Sequence, residues 1–132
     1  MILPKIVAVG IYDTRIAVKN IAISKNRKTS MFEIELPIED GGISYIDENS
    51  KPIHPNMIIC AKPGQSRHTK LPFKCYYVHM IVHGGPLYDS LMGIPDFFET
   101  DKCDIYKSIF VKLIKHYNTL SDSEEIHSRY EI

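Results

Sequence analysis

Six histidines, three cysteines and sixteen acidic side chains are the groups from which a catalytic or metal site would be built here. A metal on a β-scaffold needs ligands that converge, such as a His-x-His pair on one strand or His-Glu-x-x-His on a helix. His54, His68, His79, His83, His116 and His127 show neither spacing. His68 and His79 fall on neighbouring strand segments, but His79 and His83 are separated by roughly 13 Å of extended chain. The expectation is surface or hydrogen-bonded core histidines, with no metal and no cofactor. Cys60, Cys75 and Cys103 form no Cys-x-x-Cys pair. Cys60 and Cys75 sit in apolar strand patterns, where a buried thiol is inert. No Gly-x-Ser-x-Gly or spaced Ser/His/Asp set is present, and Gly41-Gly42 and Gly84-Gly85 are too short to cradle phosphate. No residue is assigned a catalytic role.

Two stretches remain. In "MFEIELPIE", Phe32, Ile34, Leu36 and Ile38 share one face and Glu33, Glu35 and Glu39 the other. That period of two is the mark of a half-buried strand, whose polar face ordinarily meets water. The glutamates would do acid–base work only in a dry cavity. In "FKCYYVHMIV", Phe73, Cys75, Tyr77, His79 and Ile81 alternate with Lys74, Tyr76, Val78, Met80 and Val82. Neither face is polar throughout, so both are expected to be covered, one by core and one by core or a ligand pocket.

The elements that position these residues change character near residue 84. Before it, strands are predicted around Ile6–Ile11, Ile16–Ile23, Met31–Ile38, Ile43–Ile46, Met57–Ala61 and Phe73–Val82, with Asp40-Gly41-Gly42 and Pro63-Gly64 as turns. Short strands at such spacing indicate a sandwich or barrel. Residues 84–99 read as a linker with one short helical turn. Thr100 or Asp101 then caps a helix whose stripe is Ile105, Ile109, Phe110, Leu113, Ile114 and Tyr117. Asn118-Thr119-Leu120 is expected to break it, and Ser121-x-x-Glu124 to cap a second helix running to Ile132. A chain that stops inside an amphipathic helix is expected to belong to a longer protein.

The 132 residues fit one domain, with 44% apolar and 24% charged side chains. Sixteen basic residues balance sixteen acidic ones, so this segment offers nucleic acid no electrostatic hold. The odd, unclustered cysteines point to a reduced, cytoplasmic setting. The start lacks the pattern of a signal peptide, and no apolar run approaches the roughly 20 residues of a membrane span.

"MIICAKPGQSRHTKLPFKCYYVHMIV", residues 57–82, resembles the N-terminal domain of AraC-type transcription regulators. The shared elements are a strand, the Pro63-Gly64 turn, His68, a short loop and an aromatic strand. With looser agreement before and after, the resemblance covers most of residues 30–132. It implies a cupin-like double-stranded β-helix, or jelly-roll, barrel over residues 1–83, followed by two helices in a dimerisation region over 100–132. It also implies a small-molecule effector inside the barrel, such as a sugar or small metabolite, and a homodimer. DNA would be bound by a separate helix-turn-helix domain absent from this chain. Mapped residue by residue, the ligand-binding set is Glu33, Glu35, Arg67, His68, Cys75, Tyr77 and His79. The dimer-forming stripe is Ile105, Ile109, Leu113 and Tyr117. Two other readings stand beside it: a stand-alone metal-dependent cupin enzyme, an isomerase or dioxygenase using His68 and His79, and a dimerising module with a filled barrel. The cupin metal motif is missing near "KNRKTSMFEIEL".

Overall fold

The computed structural model describes residues 3–17 and 21–123, with side chains described over 3–16 and 21–117. Its strands are β1 (Lys5–Asp13), β2 (Arg27–Lys28), β3 (Phe32–Pro37), β4 (Ile43–Ile46), β5 (Asn49–Pro52), β6 (Met57–Ala61), β7 (Ser66–Lys70), β8 (Lys74–Ile81) and β9 (Phe97–Glu99). Helices are α1 (Thr14–Ala17), α2 (Pro86–Met92) and α3 (Cys103–Ser123). The strands form two antiparallel sheets, one in the order β1-β8-β3-β6-β9 and one in the order β2-β7-β4-β5. The protein is therefore mainly β with a C-terminal helix. No helix among the described residues is long and apolar enough to cross a membrane.

Period-two alternation sorts the large sheet into an inner and an outer layer. Between the sheets lie Ile46, Ile53, Met57, Ile59, Ala61, Phe73 and Cys75. On the outer side of the large sheet, Val9, Leu36, Ile58 and Val78 meet Phe110 of α3, with Tyr106, Leu113, Ile114 and Tyr117 packed around them. Phe32, Val82 and Leu91 form a third cluster that takes in Tyr88 of α2. Both faces of β8 are thus covered, and all five residues of β6 are buried.

The apolar stripe of α3 divides. Phe110, Leu113 and Tyr117 turn to the sheet, whereas Ile105 and Ile109 stand exposed. Tyr117 also donates its hydroxyl proton to the Val7 carbonyl at 3.0 Å. Val7 is the extra residue of a β-bulge, because Ile6 opposes Met80 while Ala8 already opposes His79. A bulge interrupts the regular pairing of the ladder, and the helix supplies a partner there.

Several sequence expectations need correction. The expected Ile16–Ile23 strand begins instead within α1, which takes residues 16 and 17, and Ile23 joins only through an isolated bridge to Lys70. Gly41 and Gly42 do not close a hairpin by positive φ. They lie where the chain crosses from the large sheet to the small one, and a Cβ on Gly42 would collide with the Lys70 carbonyl oxygen. Gly64, by contrast, does turn at φ 90°. The expected break at Asn118-Thr119-Leu120 is absent: α3 runs through it to Ser123. The remainder of the expected second helix lies outside the described residues. Residues 84–99 contain α2 and β9, and β9 adds the fifth strand of the large sheet.

The split stripe gives a direct expectation. Phe110→Ala should cost roughly 3–5 kcal/mol, the usual loss for a buried aromatic. Ile109→Ala should stay within about 0.5 kcal/mol. Urea denaturation of the two variants checks both values.

Candidate ligand-binding site

Between the sheets lies a cavity of about 350 Å³. β8 contributes Cys75, Tyr77 and His79, and Phe73 precedes it. β7 contributes Arg67 and Thr69, β3 contributes Glu35, and β1 contributes Ala8 and Tyr12. Of the seven ligand-binding residues proposed from the sequence, all but Glu33 line this cavity, and Glu33 joins it through its ion pairs.

The acidic face of β3 does not meet water. Glu33 is 3% and Glu35 6% exposed, which corrects the expectation of a solvated face. The alternation itself is intact; the apolar face is covered by the helices and the acidic face is covered by the second sheet. Two buried carboxylates require compensation, since an unpaired buried charge is far costlier than an exposed one. Arg67, itself 3% exposed, supplies most of it. Its Nη1 donates to Glu33 Oε1 at 2.9 Å and Glu35 Oε2 at 3.2 Å, and its Nη2 to Glu35 Oε1 at 2.7 Å. Arg27 completes the set with a fork on Glu33, at 2.8 and 2.6 Å. Two acids and two guanidinium groups leave no net formal charge.

Burial pushes the Glu33 carboxyl up, but the Arg27 hydrogen bonds and the charges of Arg67 and Arg27 outweigh it and hold the carboxyl below its ordinary value. Burial also lowers His79, overriding the opposing pull of Glu33 and Glu35. Near neutral pH its ring is an uncharged imidazole, one donor and one acceptor. Burial raises Tyr77, keeping its phenol protonated. Cys75 is raised most by burial and secondarily by the Glu35 charge, so its sulfur remains a thiol.

β7 can present only alternate residues inward. Arg67 and Thr69 take those places and are buried. His68 borders the cavity, but its ring stacks on Tyr45 with centroids 4.4 Å apart, and its Nδ1 meets Asn26 Oδ1 at 3.3 Å. His83 lies beyond β8 and is exposed, so His68, His79 and His83 do not converge. The set that does converge is Glu33, Glu35 and His79, whose ligand atoms lie within 4.8 Å of one another. A cation there would have to displace guanidinium groups that already satisfy both carboxylates, so the donor set fits an internal ion-pair network better than a metal. Arg27, Thr14, Ser24 and Leu71 complete much of the lining. Sequence reasoning missed them because β2 is two residues long and Thr14 and Ser24 lie outside any strand.

The turn leading into β7 is fixed by a second polar network. Lys62, 5% exposed, donates through Nζ to the Cys60 carbonyl at 3.1 Å and to Asp96 Oδ1 at 3.0 Å. Gln65 reaches the same carboxylate oxygen at 3.0 Å, and Thr29 Oγ1 donates to the Lys62 carbonyl at 2.5 Å. These bonds set the Pro63-Gly64 turn and hence the phase that turns Arg67 inward.

Replacing Arg67 by Met should destabilise the protein by about 3–5 kcal/mol, because it strands buried carboxylates; denaturant midpoints measure this. Acid should act in two stages. Between the folded pKa of His79 and its ordinary 6.5, the unfolded chain binds more protons than the folded one, so stability falls as pH drops. Glu33's contribution is complete above 4.5 and is lost as pH falls through its folded pKa. His79→Gln should flatten the first stage and keep the second in a stability-versus-pH series.

No protein-family model, curated protein or solved structure matches this chain.

Proposed function

We propose that this chain is the ligand-sensing and dimerisation part of a transcription regulator of the AraC type. On this reading the two sheets form a cupin-like barrel, and a small molecule, such as a sugar or another small metabolite, binds inside it. A second domain outside this chain binds DNA, and the protein works in the cytoplasm as a homodimer without enzymatic activity. The observation that carries the reading is the cavity itself: a space of about 350 Å³, within the small-molecule range, with a buried polar network at its wall. Helix α3 supports the second half of the reading. It is bound to the outer face of the cavity-bearing sheet and still exposes Ile105 and Ile109. Ligand binding would shift the balance between two arrangements of helices across the dimer, and with it the spacing of the DNA-binding domains.

The convergence of Glu33, Glu35 and His79 favours one competing reading, a metal-dependent cupin enzyme of isomerase or dioxygenase type. Metal analysis of the purified protein separates the two, since stoichiometric metal would favour the enzyme. The regulator reading is tested by the reading frame beyond Ile132. About 100 further residues with two helix-turn-helix patterns would support it, and an immediate stop would overturn it. If Ile105 and Ile109 pair two subunits, Ile109→Glu should convert dimer to monomer in sedimentation with little change in the unfolding midpoint. Leu113→Glu should instead unfold the protein, because Leu113 packs against the sheet.

A further inference from the structure

The cavity has two chemically different ends. β3 runs against β8 with Glu33 opposite His79 and Glu35 opposite Tyr77. Arg67 reaches both carboxylates from the second sheet. The charged groups therefore gather at the Tyr77–His79 end of β8. Toward the other end the lining turns to Cys75, Phe73 and Leu71, with the Tyr12 position opposite Cys75, and two hydroxyls there are already engaged, Thr14 accepting from the Phe73 N–H and Ser24 from the Thr69 N–H. Phe73 and His79 are six positions apart on an extended chain, roughly 20 Å. The cavity is long enough for its ends to receive different parts of one molecule.

The polar end is also electrically closed. Glu33 and Glu35 are matched by Arg27 and Arg67. Beside them on β8 stand the His79 imidazole and the Tyr77 phenol, for neither of which the described residues supply a hydrogen-bond partner. Arg67 spends three N–H groups on the carboxylates, and a guanidinium has five. A charged ligand would break the balance in a site where compensation is expensive. A hydroxyl can donate to a carboxylate oxygen and accept from an imidazole, a phenol or a spare guanidinium N–H without adding charge.

Resting on the reading of this cavity as an effector site, we infer that its ligand is an uncharged amphipathic molecule of the glycoside kind. A hydroxyl-bearing ring would lie against Glu35, Arg67, Tyr77 and His79, and a small aryl or alkyl group against Phe73 and Leu71. Gly10 contributes to the fit. It sits opposite Tyr77, and a Cβ there would stand 3.3 Å from the Tyr77 hydroxyl oxygen. The glycine lets the Tyr77 ring lie against β1.

The test uses the full chain and calorimetric titration with matched probes. They are the phenyl glycosides of glucose, galactose, mannose and xylose, the four free sugars, phenyl glucuronide and phenyl phosphate. At least one phenyl glycoside should bind, at least tenfold more tightly than its free sugar and than either anion. Tyr77→Phe and His79→Gln should each weaken it about tenfold, with Tyr77→Phe leaving the unliganded unfolding midpoint unchanged. Tighter binding of an anion, lost on Tyr77→Phe, would overturn the uncharged class and leave the cavity as an effector site. Equal binding of free sugar and glycoside would overturn the role of the apolar end. If no probe binds, the inference fails. If a broad metabolite screen is then also negative, the effector-site reading fails with it.

Discussion

Two glutamates lie between the sheets, and the structure around them follows from that burial. A carboxylate taken out of water must be met by charge and hydrogen bonds, or it protonates or the fold opens. Arg67 meets both from the opposite sheet and so joins β3 to β7 across the interior. The pairing demands that β7 present residue 67 inward and not residue 68. That phase is fixed by the Pro63-Gly64 turn, which is itself held by Lys62, Gln65 and Asp96. The interaction adds less net stability than its short distances imply, because desolvation consumes much of the Coulombic gain. Its effect is on specificity. A slip of one residue in β3 would turn its glutamates into the apolar layer under the helices, and one in β7 would turn Arg67 away from them.

The same burial explains why the interior is not simply filled. Planar, charged side chains in fixed hydrogen-bonded poses cannot interdigitate as aliphatic ones do, and the space beside them becomes the cavity. Apolar packing gathers in three places: the Ile46–Ile59–Phe73 layer bordering the cavity, the face under α3 and the face under α2. Helix α3 is thereby tied to the sheet that carries most of the cavity-facing residues. Val78, under Phe110, alternates on β8 with Tyr77 and His79 in the cavity. The Tyr117 hydroxyl meets the bulge at Val7, one residue from cavity-lining Ala8. A displacement of the inner face of β1 or β8 has short physical routes to the helix.

Much of this was legible where one periodicity dominated. Ile43–Ile46 and Met57–Ala61 have the bounds the sequence indicated, and the split of β8 into two covered faces follows from its mixed alternation. The cavity set was partly legible as well, through Arg67, Tyr77, His79 and the glutamates. The solvent assignment of Glu33 and Glu35 failed because alternation tells which residues share a face and not what covers that face. Only a second strand with a buried arginine decides that, and "SRHTK" carries no apolar pattern to mark it as a strand. β2, β5 and β9 escaped for the same reason, since two to four residues in a ladder need no periodicity of their own. The glycines at 41 and 42 were found as a turn, but their cause is the close approach of the 70–72 backbone, a long-range contact invisible in local sequence.

The balance of charge at the cavity wall also bears on the choice between sensing and catalysis. A cupin metal centre holds its ion because its donors have no better partner. Here the two best oxygen donors are each held by an arginine, and the nearby imidazole is kept neutral by burial. Such a wall is well suited to recognising hydroxyls, because its donors and acceptors are fixed before a ligand arrives. It is poorly suited to supplying a base at Glu33, whose carboxyl the guanidinium groups hold below its ordinary value. The electrostatics of Glu33, Glu35, Arg27 and Arg67 thus lend support to the proposed binding role over the competing metal-enzyme reading.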